Sequence, residues 1–313
     1  METLLRGSTL PIDMQDAVLA RVAMQKCLVW QDGQFTRNAV HGLREPVVLQ
    51  SEQFTLHNVS LESMGTATGH IYCRNARGAM EQAEAQVGEI VKQAWGDNKP
   101  CMAMGIFDIC GLTRDVTPKM RNFFRREFDV YDDGAVISLG QTFTKYHVED
   151  LALANIQTLQ RVHRSRDAAF KIWFIETSPA RGLMLKRANE HTMSPRLARD
   201  AEFIVIQREG DTIYLPPLCY HAVVTAYGNR VPLRDQYAVL SGTFFADLRE
   251  GSVWRERLPL WLESHHTGRR HGSIEVRYAQ YLPSKGQRSE RRPSKKRVRK
   301  DKATAALLQR WGM

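Results

Sequence analysis

From residue 134 to about 246 the chain is a succession of short strand-like runs with little room between them for long helices. "GAVISLG", "ALANIQTL", "FKIWFIE", "EFIVIQ", "DTIYLP", "HAVVTAY" and "QYAVLSGTFF" are each rich in β-branched and aromatic residues and are separated by turn residues. A parallel βαβ sheet needs a crossover helix between most of its strands, so this spacing excludes one. What remains is a mainly β, α+β chain: a sandwich or barrel of antiparallel strands flanked by helices. "GLMLKRANE" and "SPRLARD" read as short helical interruptions.

The N-terminal region supplies the flanking elements. "DMQDAVLARVAMQ" (13–25) has helical spacing and acidic residues in its first turn. "EPVVLQ" and "FTLHNVSL", within 45–61, read as short strands. The Ala-, Glu- and Gln-rich segment "ARGAMEQAEAQVGEIVKQAW" (76–95) predicts a long helix. Thr117-Pro118 offers an N-cap and a first-turn proline for a helix over "KMRNFFRREF". The organisation expected is therefore a helical or mixed region over 1–133 packing on a β core over 134–250. C-terminal helices over 251–283 and a basic, disordered tail over 284–313 follow.

Charge is concentrated in that tail. Lys285 to Lys302 holds ten basic and two acidic residues, a net +8 of the chain's +10, so the body is nearly neutral. "RRPSKKRVRK" (291–300) has the composition of a nuclear localisation signal or of an arm that contacts nucleic acid or another polyanion. The expected location is nuclear, and otherwise cytoplasmic. Five scattered cysteines without a CxxC predict reduced thiols and no cysteine zinc site. No membrane segment is expected, since no run of 18 apolar residues occurs, and the first residues lack a secretory h-region.

One stretch is chemically out of place. "TFTKYHVEDLALANI" (142–156) sets His147, Glu149 and Asp150 inside a run that otherwise reads as buried strand. Carboxylates are rarely buried unless they are paired or bind a metal. A His-x-Glu pair at strand spacing puts both side chains on one face. About one such pair is expected by chance in a chain with ten histidines. Alone, then, it separates a metal site from an ordinary strand only weakly. His221, opening a strand after Pro216-Pro217, would complete two histidines and one carboxylate, the facial triad of non-haem Fe(II) oxygenases. Lys171, between Phe170 and Trp173, is either an outward lysine, one snorkelling to water, or a cation held inside to receive an anion.

Taken in order, His-Val-Glu-Asp, Lys-x-Trp-Phe and Gly-Asp-x-x-x-x-Pro-Pro-x-x-x-His resemble the motifs of Jumonji C (JmjC) domains over residues 134–246. "HVED" and "KIWF" look most like the branch containing histone lysine demethylases. The resemblance implies a double-stranded β-helix (jelly-roll, cupin-like) barrel and an Fe(II)- and 2-oxoglutarate-dependent dioxygenase. It implies that His147, Glu149 and His221 bind iron and that Lys171 pairs with the C5 carboxylate of 2-oxoglutarate. Thr144, Asn155 and Tyr72 would stand near that cosubstrate. The implied substrate is a protein, such as a histone tail, with hydroxylation of an N-methyl group as the route to lysine demethylation. The alternatives are a protein or small-molecule hydroxylase giving a stable alcohol, or an inactive JmjC-like binding module. No JmjN segment, zinc-binding cysteines or histone-reading modules are evident. The segment "LALANIQTLQRVHRSRDAAF" also departs from the family pattern.

Overall fold

The computed structural model describes residues 1–24, 28–31, 34, 39, 43–50, 54–55, 59–65, 67–74, 80–96, 104–107, 128–149, 153–188 and 193–247. The basic tail, the expected helices over 251–283, Asp150 and all but the last residue of the expected helix over 118–128 lie outside the described residues; Phe128 itself opens a strand. In chain order the elements are α1 (Glu2–Arg6), α2 (Ile12–Val22), β1 (Leu28–Gln31), β2 (Val47–Gln50), α3 (Leu61–Met64), β3 (Thr68–Arg74), β4 (Met80–Gln86) and α4 (Val87–Gly96). There follow β5 (Met104–Phe107), β6 (Phe128–Leu139), β7 (Thr142–His147), β8 (Ala154–Leu159), β9 (Ala169–Glu176), α5 (Pro179–Arg187), α6 (Arg196–Asp200), β10 (Phe203–Arg208), β11 (Thr212–Leu215), β12 (Tyr220–Tyr227) and β13 (Tyr237–Asp247). No helix among them is long and apolar enough to cross a membrane.

The strands form two sheets. One has nine strands in the order β1-β2-β11-β8-β13-β6-β5-β3-β4, the other four in the order β10-β9-β12-β7. From β6 to β13 the chain passes back and forth between them, and every pairing among these eight strands is antiparallel. The mainly β, antiparallel class expected from the strand spacing is what the chain forms.

Inward-facing Leu159, Trp173, Ile175, Val205, Ile213, Leu215, Val223 and Leu240 pack into one cluster between the sheets. Outside the large sheet Val47, Leu49, Phe54, Ala154, Ile156, Tyr214 and Phe245 make a second cluster. Against the small sheet, α2 packs on β10, and α5 lies on β7, β9 and β12. Arg21 ties α2 to the end of α6, its guanidinium donating to the carbonyls of Ala198 (3.2 Å) and Ala201 (2.8 Å), which have no intrahelical partner. With both faces covered, β8, β9, β11 and β12 are buried at every residue. That is why "FKIWFIE" is apolar almost throughout instead of alternating.

The N-terminal region is less helical than its composition predicts. Residues 80–86 of the expected helix over 76–95 are strand β4, and among its described residues the helix begins at Val87, in α4 (Val87–Gly96). All seven residues of β4 pair with β3, which lengthens the large sheet; ladder pairing outweighs a helix propensity worth tenths of a kcal/mol per residue. Residues 54–55 and 59–61, the described part of the strand expected over 54–61, are not strand. Phe54 instead caps the outer cluster, and α3 begins at Leu61. β6 starts at Phe128 and so crosses the expected boundary at 134, and Met1–Asp247 forms one compact unit.

Candidate metal centre

The small sheet builds the site in rows. Cross-strand register aligns Ile175, His221 and His147 in one row, Trp173, Val223 and Thr144 in the next, and Lys171, Thr225 and Thr142 in the third. Paired residues share a face, so all three rows look inward.

That alignment depends on an irregularity in β7. Between His147 and Thr144 this strand advances three residues while β12 advances two, from His221 to Val223. Strict alternation would put Thr144 and His147 on opposite faces. The bulge absorbs the extra residue and turns both inward. Lys145, within it, points to solvent.

The histidine rings lie 4.2 Å apart between centroids. Glu149, two residues past His147, brings Oε1 within 3.4 Å of His221 Nε2. Ligating atoms of His147, Glu149 and His221 all fall within 4.8 Å of one another, close enough to share one metal ion. Each histidine donates Nδ1–H to the carbonyl two residues earlier, His147 to Lys145 (2.9 Å) and His221 to Cys219 (3.0 Å). A carbonyl can only accept, so the proton sits on Nδ1 and each Nε2 is the ligating atom, the arrangement a metal-binding histidine requires.

Electrostatics hold the donors in ligating form. Desolvation, and after it the neighbouring His221, lowers His147 to about 4, so its ring is neutral at pH 7. Burial pushes Glu149 upward, but His221, His147 and the Asn155 amide outweigh it and hold the carboxyl below its ordinary range. Asn155 Nδ2 donates to Glu149 Oε1 at 2.5 Å. Trp173 packs on His221 with centroids 5.4 Å apart, and its Nε1 donates to Gln207 Oε1 at 2.9 Å. Two imidazole nitrogens and one carboxylate oxygen suit a divalent first-row transition metal, with positions left open for ligands.

Two rows away, Lys171 is 3% exposed. Its Nζ donates to Ser138 Oγ (2.9 Å) and Thr225 Oγ1 (2.7 Å), and Thr142 donates to Thr225 Oγ1 (2.9 Å). Among the described residues it makes no ion pair. Burial alone lowers it to about 7. An ammonium has three donors, and two are used here. Of the positions the sequence left open for this side chain, outward, snorkelling or inward, the fold realises the inward one.

The site residues read from the sequence divide accordingly. His147, Glu149 and His221 converge, Lys171 lies inside the same face, and Thr144 is one row from it. Asn155 touches Glu149. Tyr72 has its backbone on β3 opposite Gln82; its side chain lies outside the described residues. Sequence reasoning missed Ser138, Thr142 and Thr225. Isolated hydroxyls in strands carry no signal until a buried lysine is found to need acceptors. Compared with known proteins, the chain matches no family model and no curated protein.

Proposed function

We propose that this protein is an Fe(II)- and 2-oxoglutarate-dependent oxygenase on a jelly-roll barrel of the JmjC kind. The observation that carries the reading is the sharing of one inner face by a two-histidine, one-carboxylate triad and a buried lysine whose partners among the described residues are hydroxyls. The passage of β6 to β13 between the two sheets, with every pairing among these strands antiparallel, supports the jelly-roll.

His147 Nε2, His221 Nε2 and a Glu149 oxygen would hold the iron on one side. Lys171 would receive the far carboxylate of 2-oxoglutarate through its remaining donor, with Ser138 and Thr225 fixing its direction. Burial strengthens that attraction. Iron, when bound, supplies the redox chemistry: O₂, 2-oxoglutarate and a substrate C–H give succinate, CO₂ and the corresponding alcohol, one oxygen atom entering each of the two oxidised products. Trp173 and the two backbone carbonyls keep the imidazoles oriented throughout.

For the substrate, "HVED" and "KIWF" favour an N-methylated lysine on a protein such as a histone tail. Hydroxylation of that methyl group gives a hemiaminal that loses formaldehyde. The tail over 285–302 is assigned to nuclear targeting or polyanion contact on its charge. The test is to supply Fe(II), 2-oxoglutarate and O₂ with a panel of methylated histone peptides, and to measure succinate and formaldehyde. Both rising together is expected. Succinate with a hydroxylated product and no formaldehyde would make it a hydroxylase, and neither product above the protein-free control would reject the oxygenase.

A further inference from the structure

Asn155 is fully buried on β8, where it pairs with Leu215 of β11 and Phe244 of β13. Its neighbours Ala154 and Ile156 belong to the cluster outside the large sheet, so Asn155 points the other way, between the sheets. There it reaches Glu149 Oε1 at 2.5 Å. The same oxygen is 3.4 Å from His221 Nε2. An ionised carboxylate only accepts, so the Asn155 atom facing it is the amide nitrogen and the carbonyl oxygen points elsewhere. That Oδ1 finds no hydrogen-bond donor among the described residues.

A buried acceptor without a donor costs on the order of 1–3 kcal/mol, so its persistence beside the triad points to a donor that arrives with a ligand. The keto and carboxylate oxygens of 2-oxoglutarate are acceptors and cannot satisfy it. A water in the metal's coordination shell can. We infer that Asn155 is a positioning residue of the metal centre: its amide N–H limits Glu149 to ligation through one oxygen, and its carbonyl accepts a hydrogen bond from a metal-bound water. The inference rests on the metal-binding reading of the triad. It differs from the cosubstrate contact that the family resemblance implies for this asparagine.

The test uses the full chain and Co(II) as a spectroscopic probe. Co(II) affinity and the visible d–d spectrum are compared for the unaltered protein and Asn155→Ala, with metal-free melting temperatures measured alongside. The expected result is affinity roughly 10–100-fold weaker and a changed d–d envelope, the usual cost of removing a hydrogen-bond partner from a ligand. A lower metal-free melting temperature with unaltered affinity and spectrum would show a purely structural asparagine and overturn the inference. Should Asn155→Ala not fold, Asn155→Gln, which keeps both amide atoms but shifts them by a methylene, takes the same measurement. A changed spectrum in it supports the positioning role, and one identical to the unaltered protein's rejects it. Failure of the unaltered protein itself to bind Co(II) would remove the metal centre and the inference together, whereas wild-type binding with indifferent variants removes the inference alone.

Discussion

Lys171 Nζ donates to Thr225 Oγ1 at 2.7 Å from a position that is 3% exposed, with burial lowering its affinity for a proton and no carboxylate paired with it among the described residues. A cation in that setting costs stability until an anion reaches it. Its folded-state pKa is about 7, against the ordinary 10.5. Between those values the unfolded chain holds a proton that the folded chain does not, so stability rises as pH rises from about 7 toward 10. Lys171→Met should remove that rise and stabilise the ligand-free protein at neutral pH by on the order of 3 kcal/mol. It should also weaken 2-oxoglutarate binding severely. Urea unfolding at pH 7 and 9, with calorimetry for the ligand, checks both; a less stable Met variant would contradict the account.

The bulge in β7 gives a second prediction. Deleting Lys145 removes the extra residue and leaves His147 two residues from Thr144, so simple alternation keeps both side chains on the inner face without the bulge. Metal binding should therefore survive the deletion, with the far-UV circular dichroism of a folded β protein, because β9, β10 and β12 keep their register. Loss of metal affinity from a folded deletion variant would contradict the register described.

At the opposite end of β12, the loop histidine His163 donates through Nδ1 to Glu209 Oε1 (2.5 Å) and through Nε2 to the carbonyl of Asp235 (2.7 Å). Burial is the largest single influence and works against its charge, but the hydrogen bonds to Glu209 and to the Asp235 carbonyl, with the charges of both carboxylates, together outweigh it and raise His163 above 6.5. Burial raises Glu209 as well, with His163 opposing. A raised histidine stabilises the fold fully below its unfolded pKa, and that contribution fades as pH climbs through the folded value. The ionisation of a buried Glu209 adds a cost in the same direction. His163→Gln should flatten the fall in stability between pH 6 and 9. It should also lower stability at pH 6 by about 3 kcal/mol, because Glu209 loses its partner. Denaturant midpoints across that range measure both.

Gly182 lies in α5 where a Cβ would come within 2.4 Å of Tyr220 Cγ and Cδ2. Alanine in a helix interior ordinarily gains about 1 kcal/mol over glycine. Here the clash is with the root of a buried ring that cannot swing away, so overpacking of about 1–3 kcal/mol wins. Gly182→Ala should therefore be destabilising. Because Tyr220 precedes His221, it should weaken metal binding too. Thermal unfolding with and without Co(II) separates the two effects, and an alanine variant of unchanged melting temperature would contradict the packing described.

Much of the β core was legible because its strands are apolar runs bounded by turn residues, and β9 to β12 fall where those runs lie. His147 and Glu149 could be paired from spacing, since i and i+2 share a strand face. Thr144 could not be placed by the same rule, because a bulge is a property of two strands in register and leaves no mark in one. Likewise the run over 80–86 has helix-forming composition; its partner β3 is what makes it a strand. The Ser138, Thr142 and Thr225 hydroxyls come from three strands and become a group only once two sheets face each other. Asn155 could be placed near the site by resemblance, but its bond to Glu149 needs the side chain's direction across the sandwich.

The central claim is that His147, Glu149 and His221 hold a metal at which 2-oxoglutarate binds, anchored by Lys171. Anaerobic titration of the Fe(II)-loaded protein with 2-oxoglutarate tests it most directly, through the visible metal-to-ligand charge-transfer band of the chelate. The account predicts a saturable band, absent in His221→Ala and needing far more 2-oxoglutarate in Lys171→Ala. No band from a folded protein that holds iron would contradict it, as would a band that survives unchanged in both variants.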